Sequence, residues 1–160
     1  MPRLENRSQL MDYLGAKQRN TVWSWCAVND EEKKVYFSVW VDTHKKRDGV
    51  HSSYVIQEPH WGIDEETGSA SAARKDHDEK LALVFDKGYE AYGYFIEAKD
   101  RHAQPRQIES THTGFIFSFR LEKTIGWYSA WLSRKANRDS INCTCSRSEE
   151  HTSELQSPCN

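Results

Sequence analysis

Four cysteines in 160 residues do not make a disulfide framework. Cys26 sits inside an apolar strand pattern, and Cys143 and Cys145 form a C-x-C pair with no second pair to complete a zinc site. The expected setting is a reducing cytoplasm. Long apolar runs are also missing. No stretch approaches the roughly 20 residues of a membrane span, and the N-terminal MPRLENRSQL is too polar for a signal peptide. No membrane role is expected. Catalytic signatures are equally scarce. Six histidines between His44 and His112 show no H-E-x-x-H spacing, and no G-x-S-x-G elbow stands ready to aim a nucleophile. No cofactor is implied.

The chain ends in RSEEHTSELQSPCN, a stretch without apolar periodicity. Residues 147–157 read like one frame of a common sequencing-library adapter, so residues 147–160 are expected to be a disordered assembly artefact. Setting them aside removes one basic and three acidic residues from totals of 22 and 24, which leaves 21 of each sign. A neutral balance exerts no global pull on nucleic acid or membrane, although local patches still can. The remaining chain suits a single domain over residues 1–140, with 141–146 as a linker or a truncated continuation.

What is present is rich in β-forming residues. Ser8 is placed to cap a short helix carrying Leu10, Met11 and Leu14, with Gly15 as its stop. In TVWSWCAVND, Trp23, Trp25 and Ala27 alternate with Val22, Cys26 and Val28. In VYFSVWVD, Val35, Phe37, Val39 and Val41 share one face and Tyr36 and Trp40 the other. The polar turn between them predicts a hairpin. THKKRDG reads as an exposed charged loop, and HSSYVIQE as a third strand ended by Pro59. A helix is predicted over 72–87, with Leu81, Val84 and Phe85 as its stripe, His77 and Ala73 one or two turns back, and Gly88 as its stop. YEAYGYFIEA is a long strand, AQPRQIES holds a turn and a short strand, and GFIFSFRLE with GWYSAWLS closes as a hairpin around KTIG. Short connections imply antiparallel neighbours. The expected class is α+β: a mainly antiparallel sheet, curled or rolled into a small, partly closed barrel. One helix is N-terminal and one is inserted between strands, an arrangement analogous to PUA-like barrels.

Four short motifs carry a family resemblance. They are W-S-W-x-A-V at 23–28, V-W-x-D at 39–42, A-x-D at 98–100 and P-R-x-I at 105–108. In these motifs, across most of residues 20–110, the chain resembles bacterial proteins and domains of unassigned activity associated with restriction or defence loci. Cys26 stands where that pattern carries a small residue. The resemblance implies a context and supplies no catalytic residue.

Two metal-dependent readings can be built. Asp42 and His44 lie two apart at a strand end and with His51 could form a facial metal triad; a solvated loop beside Lys45, Lys46 and Arg47 is the plainer account. Glu97-Ala98-Lys99, with Asp86 upstream, has the composition of a nuclease that holds a divalent ion between two carboxylates. Asp86 and Glu97 flank one strand, however. At about 3.3 Å per residue they are held roughly 35 Å apart unless Gly93 folds the chain back.

The aromatic residues point elsewhere. Trp23, Trp25, Trp40 and Trp61 in the first half could wall a pocket that stacks a flat ligand, such as a nucleobase taken out of a duplex. Basic residues at Lys45, Lys46, Arg47, Arg101 and Arg106 could grip phosphates. Each tryptophan taken singly also suits a core position, with its indole N–H partnered. Three functions compete. The first is a binding module for DNA or RNA, reading a modified base through an aromatic pocket in a restriction or defence context. The second is a small metal-dependent enzyme, nuclease-like, and the third a protein-interaction domain cut from a larger protein.

Overall fold

The computed structural model describes residues 4–20, 24–46, 52–103 and 106–137. Helix α1 spans Arg7–Leu14. Its cap is Asn6 rather than Ser8: the Asn6 side chain accepts from the Gln9 backbone N–H, and Asn6 itself stays extended while Ser8 is already helical. Gly15 ends the helix at φ 68°. The strands are β1 (Cys26–Asn29), β2 (Lys34–Trp40), β3 (His44–Lys46), β4 (Ser52–Gln57), β5 (Glu90–Ala98), β6 (Ile108–Thr111), β7 (Phe115–Thr124) and β8 (Trp127–Asn137). Helix α2, Ala72–Lys87, lies between β4 and β5, capped by Ser71 and ended by Gly88 at φ 75°. The protein is thus α+β, with one N-terminal and one inserted helix.

The sheet runs β1-β2-β5-β7-β8-β4-β3, with β6 added to β5. All pairings are antiparallel except β2 with β5. That parallel pair follows from the long connection through β3, β4 and α2, which returns the chain to the sheet in the original direction. β2 and β4 are four places apart in the order, yet they touch; the sheet therefore curls. It does not close, since its ends β1 and β3 pair with no further strand. Within the segment expected to be a charged loop, THKKRDG, His44–Lys46 form β3, hydrogen-bonded along β4 from His44–Tyr54 to Lys46–Ser52; residues 47–49 lie outside the described residues.

Alternation along the central strands feeds two apolar clusters, one on each sheet face. Tyr36, Tyr92, Tyr94 and Ile96 join Leu10, Met11 and Leu14 of α1. Val35, Phe37, Val39, Ala91 and Phe95 join Leu81 of α2. The expected faces of β2 are realised over residues 35–40, while Val41 leaves the strand in a short 3-10 turn and is exposed. α2 keeps His77, Leu81 and Val84 of its expected stripe inward but turns Phe85 out. Its buried residues are Asp76, His77, Lys80 and Leu81, and Phe85 is 46 % exposed. Gly93 does not fold β5 back. It sits in register between Phe37 and Phe117, and the edge of the Phe119 ring occupies the space a Cβ would need.

Candidate functional site

A cavity of about 420 Å³ opens beyond the C-terminal end of β2, within the size range of small-molecule sites. Trp25, Trp40 and Trp61 supply its aromatic wall, and Ser38, Gln57, Glu58, His77 and Arg106 its polar groups. Five stretches of chain build it, at residues 25, 38–43, 55–62, 77 and 106. Trp25 precedes β1, and its carbonyl accepts from the Ser38 N–H, so the two-strand pairing continues up to the cavity. Trp40 ends β2 and tilts against Trp25 at 5.7 Å between ring centroids. The Thr43 hydroxyl donates to the Trp40 carbonyl and holds the 3-10 turn, Val41–Thr43, beneath it.

Trp61 comes from the loop between β4 and α2. Arg74 of α2 fastens that loop, donating to the carbonyls of Pro59 at 3.1 Å and Trp61 at 2.6 Å. The next residue, Gly62, has φ 73°, and a Cβ there would lie 2.7 Å from the Arg74 Cβ. Only glycine fits both the left-handed backbone and the close approach. On β4, the pairing with β8 shifts register between Val55 and Gln57. A regular strand would turn alternate side chains away. The irregularity lets Val55, Ile56 and Gln57 all line the cavity.

The polar side is held as a relay. Both carboxylate oxygens of Asp78 accept from Arg74 Nε, at 3.1 and 3.2 Å. Asp78 Oδ1 also accepts from Gln57 Nε2 at 3.0 Å, and Gln57 Oε1 lies 2.6 Å from His77 Nδ1. Gln57 and His77 are each 2 % exposed. Burial pulls the His77 pKa down from its ordinary 6.5 to about 4; Asp78 and Asp76 oppose that shift, and Arg74 supports it. The imidazole is therefore neutral near pH 7. Its ring packs edge-on against Phe37 and Trp61.

The indole N–H groups distinguish cavity from core. Trp131 is 7 % exposed, and its Nε1 donates to Glu122 at 3.1 Å. Trp25, Trp40 and Trp61 are half-buried, and among the described residues the Nε1 of each has no protein acceptor. All three line the cavity. A buried tryptophan ordinarily finds an acceptor for this group.

The structure brings together Trp25, Trp40, Trp61 and Arg106 from the residues singled out in the sequence. Arg106 differs from its expected part. Its guanidinium makes a bidentate pair with Asp42, at 2.8 and 2.9 Å, and lies 5.1 Å over the Trp40 ring. It braces the rim, and its charge is matched by Asp42. That same pair occupies Asp42, the first residue of the conjectured metal triad. His44 packs its ring on Tyr54 at 5.1 Å. Among the described residues no three His, Cys, Asp or Glu side chains gather as metal ligands. Glu97 is taken by His112 at 2.6 Å, and β5 separates it from Asp86. Arg101 is exposed on the turn after β5 and does not line the cavity. Lys45 and Lys46 stand on β3, which follows directly from the cavity turn. Trp23, Arg47 and His51 lie outside the described residues, as does everything after Asn137.

Sequence reasoning did not single out Gln57, Glu58 or Ser38; it placed His77 on the helix stripe and gave it no part in a site. No local pattern marks them, because Gln57 and His77 are 20 residues apart. A scan against protein-family models finds no match, and searches of curated proteins and of solved structures find none either. The class that fold and site define is an α+β protein with an open, curled sheet and a tryptophan-walled cavity floored by a neutral histidine.

Proposed function

We propose that this protein is a binding module that takes one flat heteroaromatic ring, a nucleobase of DNA or RNA, into the tryptophan-walled cavity. The observation that carries the reading is the set of three half-buried indoles around about 420 Å³, none with an acceptor for its N–H among the described residues. Aromatic faces stack on any base, and the unused N–H groups can meet its acceptors. The basic residues proposed for phosphate are Lys45, Lys46, Arg47 and Arg101, of which Lys45 and Lys46 belong to β3 and Arg101 to the turn after β5. Arg106 is already matched by Asp42. Reading of a modified base, and the bacterial restriction or defence setting, belong to this proposal on the strength of the sequence resemblance. The metal-dependent enzyme is the weaker reading, since Asp42 and Glu97 are both engaged by neighbouring side chains.

Tryptophan fluorescence titration at low salt tests it, using single-stranded and duplex oligonucleotides with plain and methylated bases. Quenching is expected with at least one of them. Trp25→Ala and Trp61→Ala should each weaken binding by roughly 1–3 kcal/mol, the usual worth of a base stacked on an aromatic side chain. Absence of quenching with every oligonucleotide rules the proposal out. Quenching by a trimethylammonium compound alone would assign the aromatic wall to cation recognition instead.

A further inference from the structure

The relay behind the cavity fixes which nitrogen of His77 carries the proton. Asp78 is a carboxylate and only accepts, so the Gln57 group facing it must be the amide NH2. The Gln57 carbonyl oxygen then faces His77, and at 2.6 Å it needs a donor. His77 Nδ1 must therefore bear the hydrogen. With the ring neutral, Nε2 is left with a bare lone pair. Among the described residues no side chain or backbone group donates to it. Among the described residues only the Tyr36 hydroxyl is both sealed from solvent and unpartnered. His77 Nε2 is thus not sealed, although the residue is only 2 % exposed, and the space His77 lines is the cavity. Water can meet an acceptor that stays open in this way, whereas a ring that displaces that water and brings no donor of its own leaves Nε2 unpaired at a cost.

We infer that His77 Nε2 is the specificity-determining acceptor of the cavity, so that the ring it takes must carry an N–H donor on its inserted edge. This rests on the proposed ring-binding function and adds a chemical requirement to it. Stacking alone is indifferent to which edge enters. A single oriented acceptor is not, because a ring lacking the donor leaves His77 unpaired in a desolvated site. The walls and the floor thereby divide the work: indole faces hold any flat ring, and His77 selects among them.

The test uses the full chain and short single-stranded oligonucleotides carrying one base at a time. Each base is compared with an analogue lacking the donor: adenine with purine, cytosine with 2-pyrimidinone, thymine with N3-methylthymine. For whichever base binds best, the analogue should bind about tenfold more weakly. His77→Phe keeps an aromatic ring against Phe37 and Trp61 but has no acceptor, and it should shrink that ratio to about twofold or less. Nitrogen-15 NMR of the wild-type ring gives a reading independent of any variant. Nδ1 should resonate as protonated and Nε2 as unprotonated in the free protein, with Nε2 shifting when the base binds. Equal or tighter binding of the analogue overturns the inference while leaving ring binding intact. So does a free protein protonated at Nε2. Failure of every oligonucleotide to bind removes the ring-binding proposal itself, and the inference with it.

Discussion

Gly93 shows how one residue can be read correctly as special and wrongly as to why. In a strand as aromatic as EAYGYFIEA, a glycine suggests a bend. Here it marks a close approach, with the Phe119 ring lying where a Cβ would be. Phe119 is 6 % exposed and packed in the cluster beneath α2, so it has little room to retreat. Gly93→Ala is expected to destabilise the protein by about 1–3 kcal/mol through overpacking, measured by urea unfolding; an unchanged midpoint would mean Phe119 moves freely. Ile125 departs from residue preference in the opposite way. It and Gly126 form the two-residue turn of the β7–β8 hairpin with φ 45° and 83°. Both angles suit the mirror-image turn that strand twist favours, and a β-branched side chain suits the first of them poorly. Its side chain is 92 % exposed, so only the backbone is constrained.

At the scale of elements, α2 is the unusual one. A sheet-packed helix ordinarily buries an apolar stripe, but this one buries Asp76, His77 and Lys80 with Leu81. Asp76 is fully buried and accepts from Lys80 Nζ at 2.8 Å; Arg19 approaches it at 3.6 Å, and the Cys26 thiol lies 3.8 Å away. Burial, and then the Asp76 charge, push the Cys26 pKa up, so this thiol is a packing group rather than a nucleophile. Removing one partner of such a pair strands the other. Asp76→Ala should cost roughly 3–5 kcal/mol by leaving Lys80 buried and unmatched. Arg19→Ala should cost less than about 1 kcal/mol, because Arg19 is half exposed. Chemical denaturation of the two variants side by side checks the contrast, and equal losses would contradict it.

For the whole molecule, the buried His77 makes folding depend on pH. Its folded pKa of about 4 lies below its ordinary 6.5. Between those values the unfolded chain binds a proton that the folded protein refuses. The stabilisation is therefore complete above pH 6.5 and is lost as pH falls towards 4, on the order of 3 kcal/mol in all. Urea midpoints at pH 7, 5.5 and 4.5 should fall more steeply for the wild type than for His77→Phe. Parallel profiles would show that His77 is charged in the folded state. The same neutrality keeps Nε2 available as an acceptor throughout the range where the protein is most stable.

Much of the architecture was legible in the order of residues because it depends on near neighbours. Strand alternation puts Val35, Phe37 and Val39 on one face and Tyr36 and Trp40 on the other through backbone geometry alone. Gly88 and Gly15 mark helix ends through dihedral angles and hydrogen bonds that span only a few residues. The cap at Asn6, two positions before Ser8, and the edge strand at His44–Lys46 were misread for a related reason. Each is settled by which of several polar neighbours finds a partner. The site was half legible: tryptophans and an arginine could be named, but their convergence could not. That convergence depends on the parallel pairing of β2 with β5, on the curl that brings β4 against β2, and on Arg74 tying the Trp61 loop to α2. The tertiary structure alone decided that Arg106 is matched by Asp42 and that Gln57 bridges Asp78 and His77. Those are contacts between groups 20 to 64 residues apart, and no local periodicity can encode them.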